Sequence, residues 1–427
     1  MTLNVLLDEG SFSEIGVNAG FGTIDGRPIC VYHLKGKVCR CSTEIVELAL
    51  KTGTPILTVL ECDGMEVSFE ALSSVAKLSS SLALASGVVP RISVVAGKIH
   101  GVLCYPLGDF VVAIKGGEMS LVPPDVIKLV TGKDAQVDLE SHYGGENVHL
   151  LAESEEEAAE LVKRLISFLP LNNMDDPPIA ETSDDPARKC ERIKIPEDPY
   201  APYDVREVIA DIVDDGDFME IQPKFAPSVV VGFGRLDGTS VGVVANDPMH
   251  DMGCLNFDAV RKVARFVRFC DAFNIPIVNL VDTPGFMPDN DQELRGLAYN
   301  STKLLQTYSG VTVPMITVVL RKAYGSAYVS MGSKFAGADV VYAYPNAEFA
   351  VMDVDTDVRT IYGELGEEER RRKVEEYRKT EASAERALER GFVDAIIEPE
   401  WTRSRIINAL RMLETKRRRL PPKKHDT

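Results

Sequence analysis

The sequence repeats itself once, with a period of about half its length. Four segments of the first half recur in the same order in the second half. The pairs are DEGSFSEI from Asp8 with DDGDFMEI from Asp214, GFGTIDG from Gly20 with GFGRLDG from Gly232, TPILTVL from Thr54 with IPIVNLV from Ile275, and PRISVV from Pro90 with PMITVV from Pro314. Because the offset grows only from 206 to 224 residues along these pairs, the pattern indicates a duplication with small insertions.

Each copy predicts the same succession of elements. An Asp-Gly pair between β-rich runs, at Asp25 and at Asp237, is typical of a tight hairpin. A helix and then a β-branched apolar run follow each hairpin, and such a run is typical of a buried parallel strand. The helices are predicted over 43–50 and 257–273, and the strands over 56–60 and 277–281. Strands that alternate with helices predict an α/β fold in both halves.

The length of the chain agrees with two domains. Its 427 residues are too many for one ordinary core. The stretch 173–202 is rich in Pro, Asp and Asn and has no periodicity, which is typical of a linker. We therefore predict one domain over 1–172 and a second over 203–427.

Charge and composition exclude several classes of protein. The net charge of −18 argues against nucleic-acid binding, which requires a basic surface. No apolar run reaches the roughly 18 residues that span a bilayer, and no leader pattern begins the chain, so we expect a cytoplasmic protein without membrane partners. The eight cysteines are scattered and lack the paired spacing of a zinc site, so no metal is predicted.

Small residues follow a buried strand in both halves. Gly101 comes after an apolar run at 92–95, and Gly325 comes after one at 316–320. A glycine at a strand-to-helix junction lets a ligand approach the backbone, and the free N–H groups of the first helical turn can form an oxyanion hole. Close packing of helix on strand also requires small residues, so the spacing alone leaves both interpretations open. Two oxyanion holes would suit a transfer between two carbonyl compounds.

Several motifs resemble the β subunits of propionyl-CoA and acetyl-CoA carboxylases, which are biotin-dependent carboxyltransferases. In the second half they are YDVREVIAD from Tyr203, VDTPGF from Val281, DQE from Asp291, TVP from Thr312, RKAYG from Arg321, MGSK from Met331 and GFVDAII from Gly391. The resemblance covers residues 203–427 almost without gaps and is looser in the first half, where it rests on LLDEGSF from Leu6, ASGVVPRIS from Ala85 and PDVIK from Pro124. It implies two tandem crotonase-like (ClpP/crotonase) ββα-superhelix domains.

The resemblance also implies a reaction and its participants. A carboxyltransferase of this kind moves CO2 from carboxybiotin to the α-carbon of an acyl thioester. The chain has no Ala-Met-Lys-Met biotinylation signature, so biotin would be carried on a separate biotin carboxyl carrier protein, charged by a biotin carboxylase subunit. The other implied partner is an acyl-CoA or a carrier-bound acyl thioester. The implied assembly is a homo-oligomer, a dimer or a trimer of dimers.

The resemblance assigns roles to particular residues of this sequence. The expected catalytic residues are Gly325, Ser326 and Ala327 in the second half and Gly101 and Val102 in the first. The expected biotin-binding residues are Pro284, Gly285, Phe286 and Tyr324. Val329 and Asp353 are expected to influence substrate specificity, because the family often has Asp at the first position and Gly at the second.

The first half departs from the family pattern where the family holds CoA. The stretch HLKGKVCRC from His33 is shorter than its family equivalent and lacks Gly-Gly, ECDGMEVSFE from Glu61 replaces a glycine-rich stretch, and Gly101-Val102 replaces Gly-Gly. Three hypotheses therefore stand: a carboxyltransferase with an unusual acceptor, a biotin-linked decarboxylase, and a catalytically weak subunit that pairs with a full-length paralogue.

Overall fold

Two eight-stranded sheets organise the chain, one in each of two units of the computed structural model. The structure describes residues 1, 3–36, 40–63, 68–101 and 108–420. The first unit comprises Met1–Pro178 with two short segments, 222–225 and 272–274, and the second unit comprises the rest. The predicted linker divides between them. From Ile179 onward it belongs to the second unit, where Arg188 donates to the carbonyls of Asp211 (2.7 Å) and Val213 (3.0 Å).

The first unit alternates strands and helices as the sequence predicts. Its strands are β1 (Ser13–Glu14), β2 (Ala19–Ile24), β3 (Arg27–Lys35), β4 (Ile56–Asp63), β5 (Arg91–His100), β6 (Phe110–Ile114), β7 (Glu118–Ser120) and β8 (Leu150–Ala152). Its helices are α1 (Leu3–Leu6), α2 (Arg40–Thr52), α3 (Phe69–Ala85), α4 (Pro124–Thr131), α5 (Leu139–Tyr143) and α6 (Glu155–Phe168).

The second unit has the same number of strands. They are β9 (Met219–Ile221), β10 (Val229–Leu236), β11 (Thr239–Asn246), β12 (Ile277–Thr283), β13 (Met315–Tyr324), β14 (Val340–Ala343), β15 (Glu348–Ala350) and β16 (Ala395–Ile396). The helices are α7 (Val205–Ile212), α8 (Phe257–Ala272), α9 (Asn290–Leu294), α10 (Leu297–Ser309), α11 (Gly325–Val329), α12 (Val354–Tyr362), α13 (Glu367–Thr380), α14 (Ala384–Glu389) and α15 (Thr402–Leu413).

The two sheets have one topology. The first runs β1-β2-β3-β4-β5-β6-β8 with β7 on β5, and the second runs β9-β10-β11-β12-β13-β14-β16 with β15 on β13. In both, the first three strands are antiparallel and the others are parallel. Even the irregularity of register recurs, between Leu60 and Cys62 and between Val281 and Thr283. The repeat seen in the sequence is therefore a repeat of the whole sheet.

The hairpins of the two units are held by equivalent aspartates. Asp8 accepts hydrogen bonds from the amides of Asp25 (2.9 Å) and Gly26 (2.8 Å). Asp214 does the same for the amides of Asp237 (3.0 Å) and Gly238 (2.7 Å). Both central residues of each turn have positive φ, between 48° and 76°, which is the requirement that makes Asp-Gly a hairpin signal.

Helix boundaries follow local capping. The glutamates at 155–157 lie in the first turn of α6, whose N-cap Ser154 accepts from the amide of Glu157, an arrangement that the helix dipole favours. The charged stretch 367–389 forms two helices, α13 and α14. Ser383 caps α14 by accepting from the Arg386 amide, so the chain begins a new helix there. Among the helices that the structure describes, none is long and apolar enough to cross a membrane.

Candidate active site

Two adjacent parallel strands of the second unit carry the predicted site residues at their carboxyl ends. Pro284, Gly285 and Phe286 follow β12, and the stretch 325–327 follows β13, its neighbour in the sheet. The carbonyl of Gly285 accepts from the Leu255 amide (3.0 Å), which holds this loop in place. The carboxyl ends of parallel strands are where α/β proteins bind ligands, so the geometry brings these two predicted segments to one edge of the sheet.

Gly325 occupies a position that only glycine fits. Its φ is +58°, and a Cβ there would lie 2.9 Å from the backbone oxygen of Val351, a conformation and a distance that disfavour any side chain. It begins α11, whose N-cap Tyr324 makes no side-chain capping bond. The amides of Ser326 and Ala327 lie in the first turn, where intrahelical acceptors are missing. The turn therefore offers two backbone donors to a ligand.

A cavity of about 510 Å³ opens beside this turn. Most of its walls are apolar or aromatic side chains. Its lining is formed by Ala323, Gly325, Ser326, Tyr328, Val329, Phe349, Ala350, Val351, Tyr377, Glu381, Arg386, Ala387, Arg390 and Phe392. The Tyr328 hydroxyl is buried and has no hydrogen-bond partner within the described part of the chain, so a ligand in the cavity could accept from it. The volume falls within the usual range of small-molecule sites.

A buried ionic cluster lies behind the strand ends. Asp282, fully buried, accepts from Arg321 Nε (3.0 Å) and from the Tyr203 hydroxyl (2.9 Å), and pairs with Lys322 Nζ at 3.3 Å. Burial lowers the pKa of Lys322, against the opposing effect of Asp282. Burial and Asp282 together hold the pKa of Tyr203 well above its usual value. The cluster joins β12 to β13, two residues before Pro284 and three or four residues before Gly325, so it positions the two segments that the ligand would meet.

Tyr324, one of the residues expected to bind biotin, is buried and hydrogen-bonded to a neighbouring strand. Tyr324 is 2% exposed and donates to Glu348 (2.5 Å), which also pairs with Arg378 (3.1 Å); burial, then Glu348, raises the pKa of the tyrosine. Among the described residues that line the cavity, Tyr324 is not present. Its side chain fastens β13 to β15, and its expected contact with biotin stays a prediction.

Asp353 is a helix cap. It is the N-cap of α12, accepts from the Thr356 amide (3.2 Å) and receives the Tyr200 hydroxyl. The two aspartates that follow have equally local partners: Asp355 pairs with Arg359 (3.0 Å), and Asp357 accepts from the backbone at 351–352. Within the described residues no cluster of acidic, His or Cys side chains could hold a metal ion.

The first unit presents an equivalent glycine. Gly101 directly follows β5 with φ +70°, and its amide donates to the Ser120 carbonyl (3.0 Å). Among the described residues, the atom nearest to a Cβ at Gly101 would be Pro123 Cγ, at 3.7 Å. Val102, the other residue expected at this hole, lies outside the described residues. The strand-to-glycine junction is thus present in both units, with a tighter backbone contact in the second.

Comparison with known proteins assigns the chain to a family. A family model described as the carboxyl transferase domain matches residues 5–427. This chain is a member of that family. It is 40% identical to the propionyl-CoA carboxylase beta chain of Saccharopolyspora erythraea, over 99% of this chain and 88% of that protein, and 41% identical to the methylmalonyl-CoA decarboxylase subunit alpha of Veillonella parvula, over 96% and 84%.

A solved structure shows the same fold. Transcarboxylase 12S, determined as a hexamer with methylmalonyl-coenzyme A and methylmalonic acid bound, superposes with a TM-score of 0.95 at 39% identity and covers 99% of this chain and 91% of its own. The predicted tandem crotonase-like α/β fold is confirmed. The protein is a biotin-dependent carboxyltransferase of the acyl-CoA carboxylase β type, and the resemblance seen in the motifs is confirmed over both halves.

The supporting residues of this carboxyltransferase were the ones that sequence reasoning missed. In the sequence, Asp282 is singled out only as one member of the VDTPGF motif. Its partner Tyr203 lies 79 residues away in the chain, and no periodicity connects them. The available signal was chemical: an Asp directly after a buried apolar run, and an Arg-Lys pair at the end of the next one, are charges that must be paired if the strands are buried.

Proposed function

We propose that this carboxyltransferase moves a carboxyl group between biotin, carried on a separate protein, and the α-carbon of an acyl thioester, with the turn at Gly325 as the oxyanion hole. The proposal is supported most by one observation: a glycine that tolerates no side chain begins a helical turn with two available amides, beside an apolar cavity. When bound, carboxybiotin supplies the carboxyl group that is transferred.

The residues present fit such a group. The space that a Cβ of Gly325 would fill is left for backbone contacts, and the loop 284–286, partly exposed, follows the neighbouring strand. Position 326 is a serine, whose side chain leaves the backbone N–H in place. We therefore propose that Ser326 and Ala327 donate these N–H groups to a carbonyl oxygen as negative charge develops on it.

The same amides serve both directions of the reaction. An oxyanion that forms on the way forward must also form on the way back, so the turn lowers one barrier for carboxylation and decarboxylation alike. The relatives named above include both a carboxylase and a decarboxylase at nearly equal identity. We propose acyl-CoA carboxylation as the physiological direction when a biotin carboxylase subunit supplies carboxybiotin, because the supply of that donor displaces the equilibrium.

Val329 is the residue that we propose for acyl selectivity. It is 37% exposed and lines the cavity next to the hole, so it presents apolar surface to a chain bound there. We do not extend this proposal to Asp353, because its carboxylate caps α12. An Asp in place of Val329 would put a charge into an apolar wall and disfavour long aliphatic chains.

We further propose that the chain works as a homo-oligomer. Helix α4 has no buried residue and carries exposed apolar side chains, Val126 (44%), Leu129 (84%) and Val130 (76%). Such a patch is typical of an interaction surface, and a second copy of the chain is the occupant that we propose, because transcarboxylase 12S forms a hexamer. Light scattering of the purified protein, with Leu129→Lys as the disrupting variant, tests this.

The decisive experiment removes one amide of the hole and keeps the side-chain size. Ser326→Pro deletes an N–H in the first helical turn, where proline is tolerated, and Ser326→Ala is the matched control that keeps it. We expect kcat for carboxyl transfer from carboxybiotin to acetyl- or propionyl-CoA to fall about 10²–10³-fold in the proline variant and to change little in the alanine variant. Equal activity of both variants, at unchanged melting temperature, would overturn the assignment of the hole.

A further inference from the structure

The first unit contains a second arrangement of chemically active side chains. His100, the last residue of β5, is 4% exposed. Its Nδ1 lies 2.7 Å from Ser120 Oγ, and its Nε2 lies 3.2 Å from Glu118 Oε2. Glu118 also pairs with Lys98 at 2.9 Å. A hydroxyl, an imidazole and a carboxylate are thus in series, each within hydrogen-bonding reach of the next.

The direction of the hydrogen bonds follows from the carboxylate. The bond from Lys98, more than that from His100, lowers the pKa of Glu118, so Glu118 is an anion near neutral pH and can only accept. Nε2 of His100 therefore carries a proton and donates to it, and in a neutral ring Nδ1 must accept from the Ser120 hydroxyl. This is the order of roles in a nucleophile–base–acid relay, with the two ring nitrogens exchanged.

The second unit shows what the fold alone requires at this place. There the strand β13 ends in Tyr324, which donates directly to Glu348, and Ala350 stands opposite it where Ser120 stands opposite His100. A Tyr–Glu bond is therefore sufficient to fasten the two strands. Fastening the two strands does not explain why the first unit has the Ser120 hydroxyl, or why both ring nitrogens of His100 have a partner.

The position of Ser120 suits a nucleophile. It ends β7 at the carboxyl edge of the parallel strands, and its carbonyl accepts from the amide of Gly101. Its residue exposure is 8%, and the exposed Leu121 (52%) and Val122 (44%) follow it directly. Ser120 and His100 are thus both buried, with exposed residues directly after Ser120, and burial shields the base from bulk water.

We propose that Ser120, His100 and Glu118 form a catalytic relay that gives this protein a second activity, the hydrolysis of acyl thioesters, independent of biotin. Ser120 Oγ bonds to the thioester carbonyl carbon while His100 Nδ1 takes the hydroxyl proton. The C–S bond then breaks, and the proton passes to the leaving thiolate, which departs as a thiol. Water attacks the acyl-serine by the same route, releases the carboxylic acid and restores Ser120.

The test uses the full chain without biotin, carrier protein or bicarbonate, so that it does not detect carboxyl transfer. Free coenzyme A released from acetyl- and propionyl-CoA is measured by chromatography, and labelling by a fluorophosphonate probe is located by mass spectrometry. We expect one adduct, on Ser120, and we expect Ser120→Ala and His100→Gln each to lower thiol release about 10²-fold or more. Glu118→Gln keeps the shape of the side chain, so we expect it to lower thiol release and probe labelling less than Ser120→Ala and His100→Gln do.

A matched control separates the relay from folding. Ser74→Ala removes another first-unit hydroxyl, one that donates only to the Glu70 carbonyl (2.9 Å), and should leave both signals unchanged. Melting temperatures of all variants identify any that unfold. Absence of a Ser120 adduct together with thiol release that is equal in the wild type and in Ser120→Ala would overturn the proposal and show that the triad only fastens β5 to β7. A failure of this kind would leave the assignment of the hole at Gly325 untouched.

Discussion

The two units have the same sheet and different strand ends. In the second unit, Asp282 and Arg321 form a fully buried ion pair between β12 and β13. At the equivalent places in the first unit stand Glu61, whose side chain is 37% exposed, and Gly97. Glu61 pairs with His33 at 3.2 Å, and a Cβ on Gly97 would touch Glu61 Cγ at 3.2 Å. A buried pair has thus been replaced by a half-exposed one.

The difference indicates how a duplicated fold can divide its work. A buried ionic cluster joins the ends of β12 and β13 in the second unit, so we expect the proposed hole at Gly325 to be preorganised. In the first unit, the partly exposed Glu61 on β4 pairs instead with His33 on β3, so this ion pair does not join the equivalent strands β4 and β5, and a pair of this kind contributes little to stability. The second unit is also the one whose motifs follow the family pattern, while the first unit departs from it. The unit with the buried ionic cluster is thus also the unit that follows the family pattern. The unit that departs from the pattern is the one in which we propose the second activity.

The largest effect is expected from Asp282→Asn. It leaves Arg321 buried without its anion, which costs about 3–5 kcal/mol, and it loosens both segments of the site. The matched first-unit change, Glu61→Gln, affects a half-exposed pair and should cost less than about 1 kcal/mol. Urea unfolding of the two variants measures the contrast. Similar losses of stability in both would show that the buried cluster is not what distinguishes the units.

The next effect separates the two glycines. Gly325→Ala places a Cβ 2.9 Å from the Val351 oxygen, whereas the nearest described neighbour of a Cβ in Gly101→Ala is Pro123, at 3.7 Å. In both variants the positive φ lowers the stability of the fold by about 1–2 kcal/mol. In Gly325→Ala the backbone of the proposed hole must also shift. We expect kcat for carboxyl transfer to fall about 10²-fold in Gly325→Ala and clearly less in Gly101→Ala. Steady-state kinetics check the order, and the reverse order would assign the sensitive hole to the first unit.

The hairpin aspartates should differ more modestly. Asp214 is buried and also pairs with the fully buried Arg403 (2.7 Å), while Asp8 is partly exposed and receives the Thr23 hydroxyl instead. Asp214→Ala leaves Arg403 with fewer acceptors, so we expect a loss of about 3 kcal/mol, against about 1 kcal/mol for Asp8→Ala. Thermal unfolding of each variant is the measurement. A larger loss for Asp8→Ala would contradict the role given to Arg403.

The smallest effect is a dependence on pH. Burial lowers the pKa of Lys262, on α8, to about 7, while the equivalent helix α2 buries only Ser42, Ile45, Val46 and Ala49. Between pH 7 and the usual lysine value of 10.5, the unfolded chain binds the proton and the folded chain does not. Stability should therefore rise with pH in this window, by at most about 1.4 kcal/mol per unit.

Lys262→Met is the control for that dependence. It removes the titrating group, so stability should rise at pH 7 and its slope between pH 7 and 10 should become flatter. Urea midpoints at a series of pH values report both. An unchanged slope in the methionine variant would assign the pH dependence to other groups.

The sequence by itself determined the architecture of this protein. Its repeated hairpins, helices and apolar strands are local patterns, because turn chemistry at Asp25-Gly26 and the periodicity of buried strands depend on near neighbours. The glycines at 101 and 325 were identified for the same reason. The linker was less predictable: composition marks 173–202 as irregular, but part of it packs on the second unit through Arg188.

Only the tertiary structure decided which side chains meet. Asp282 contacts Tyr203, 79 positions away, and Arg321, 39 positions away. His100 contacts Ser120, 20 positions away, and Glu118, 18 positions away. The register of the sheets brings these residues together. The resemblance predicts biotin binding for Tyr324 and an influence on substrate specificity for Asp353, but the glutamate that Tyr324 contacts and the helix that Asp353 caps are seen only in the structure. Partner choice depends on register and burial, neither of which a local pattern encodes.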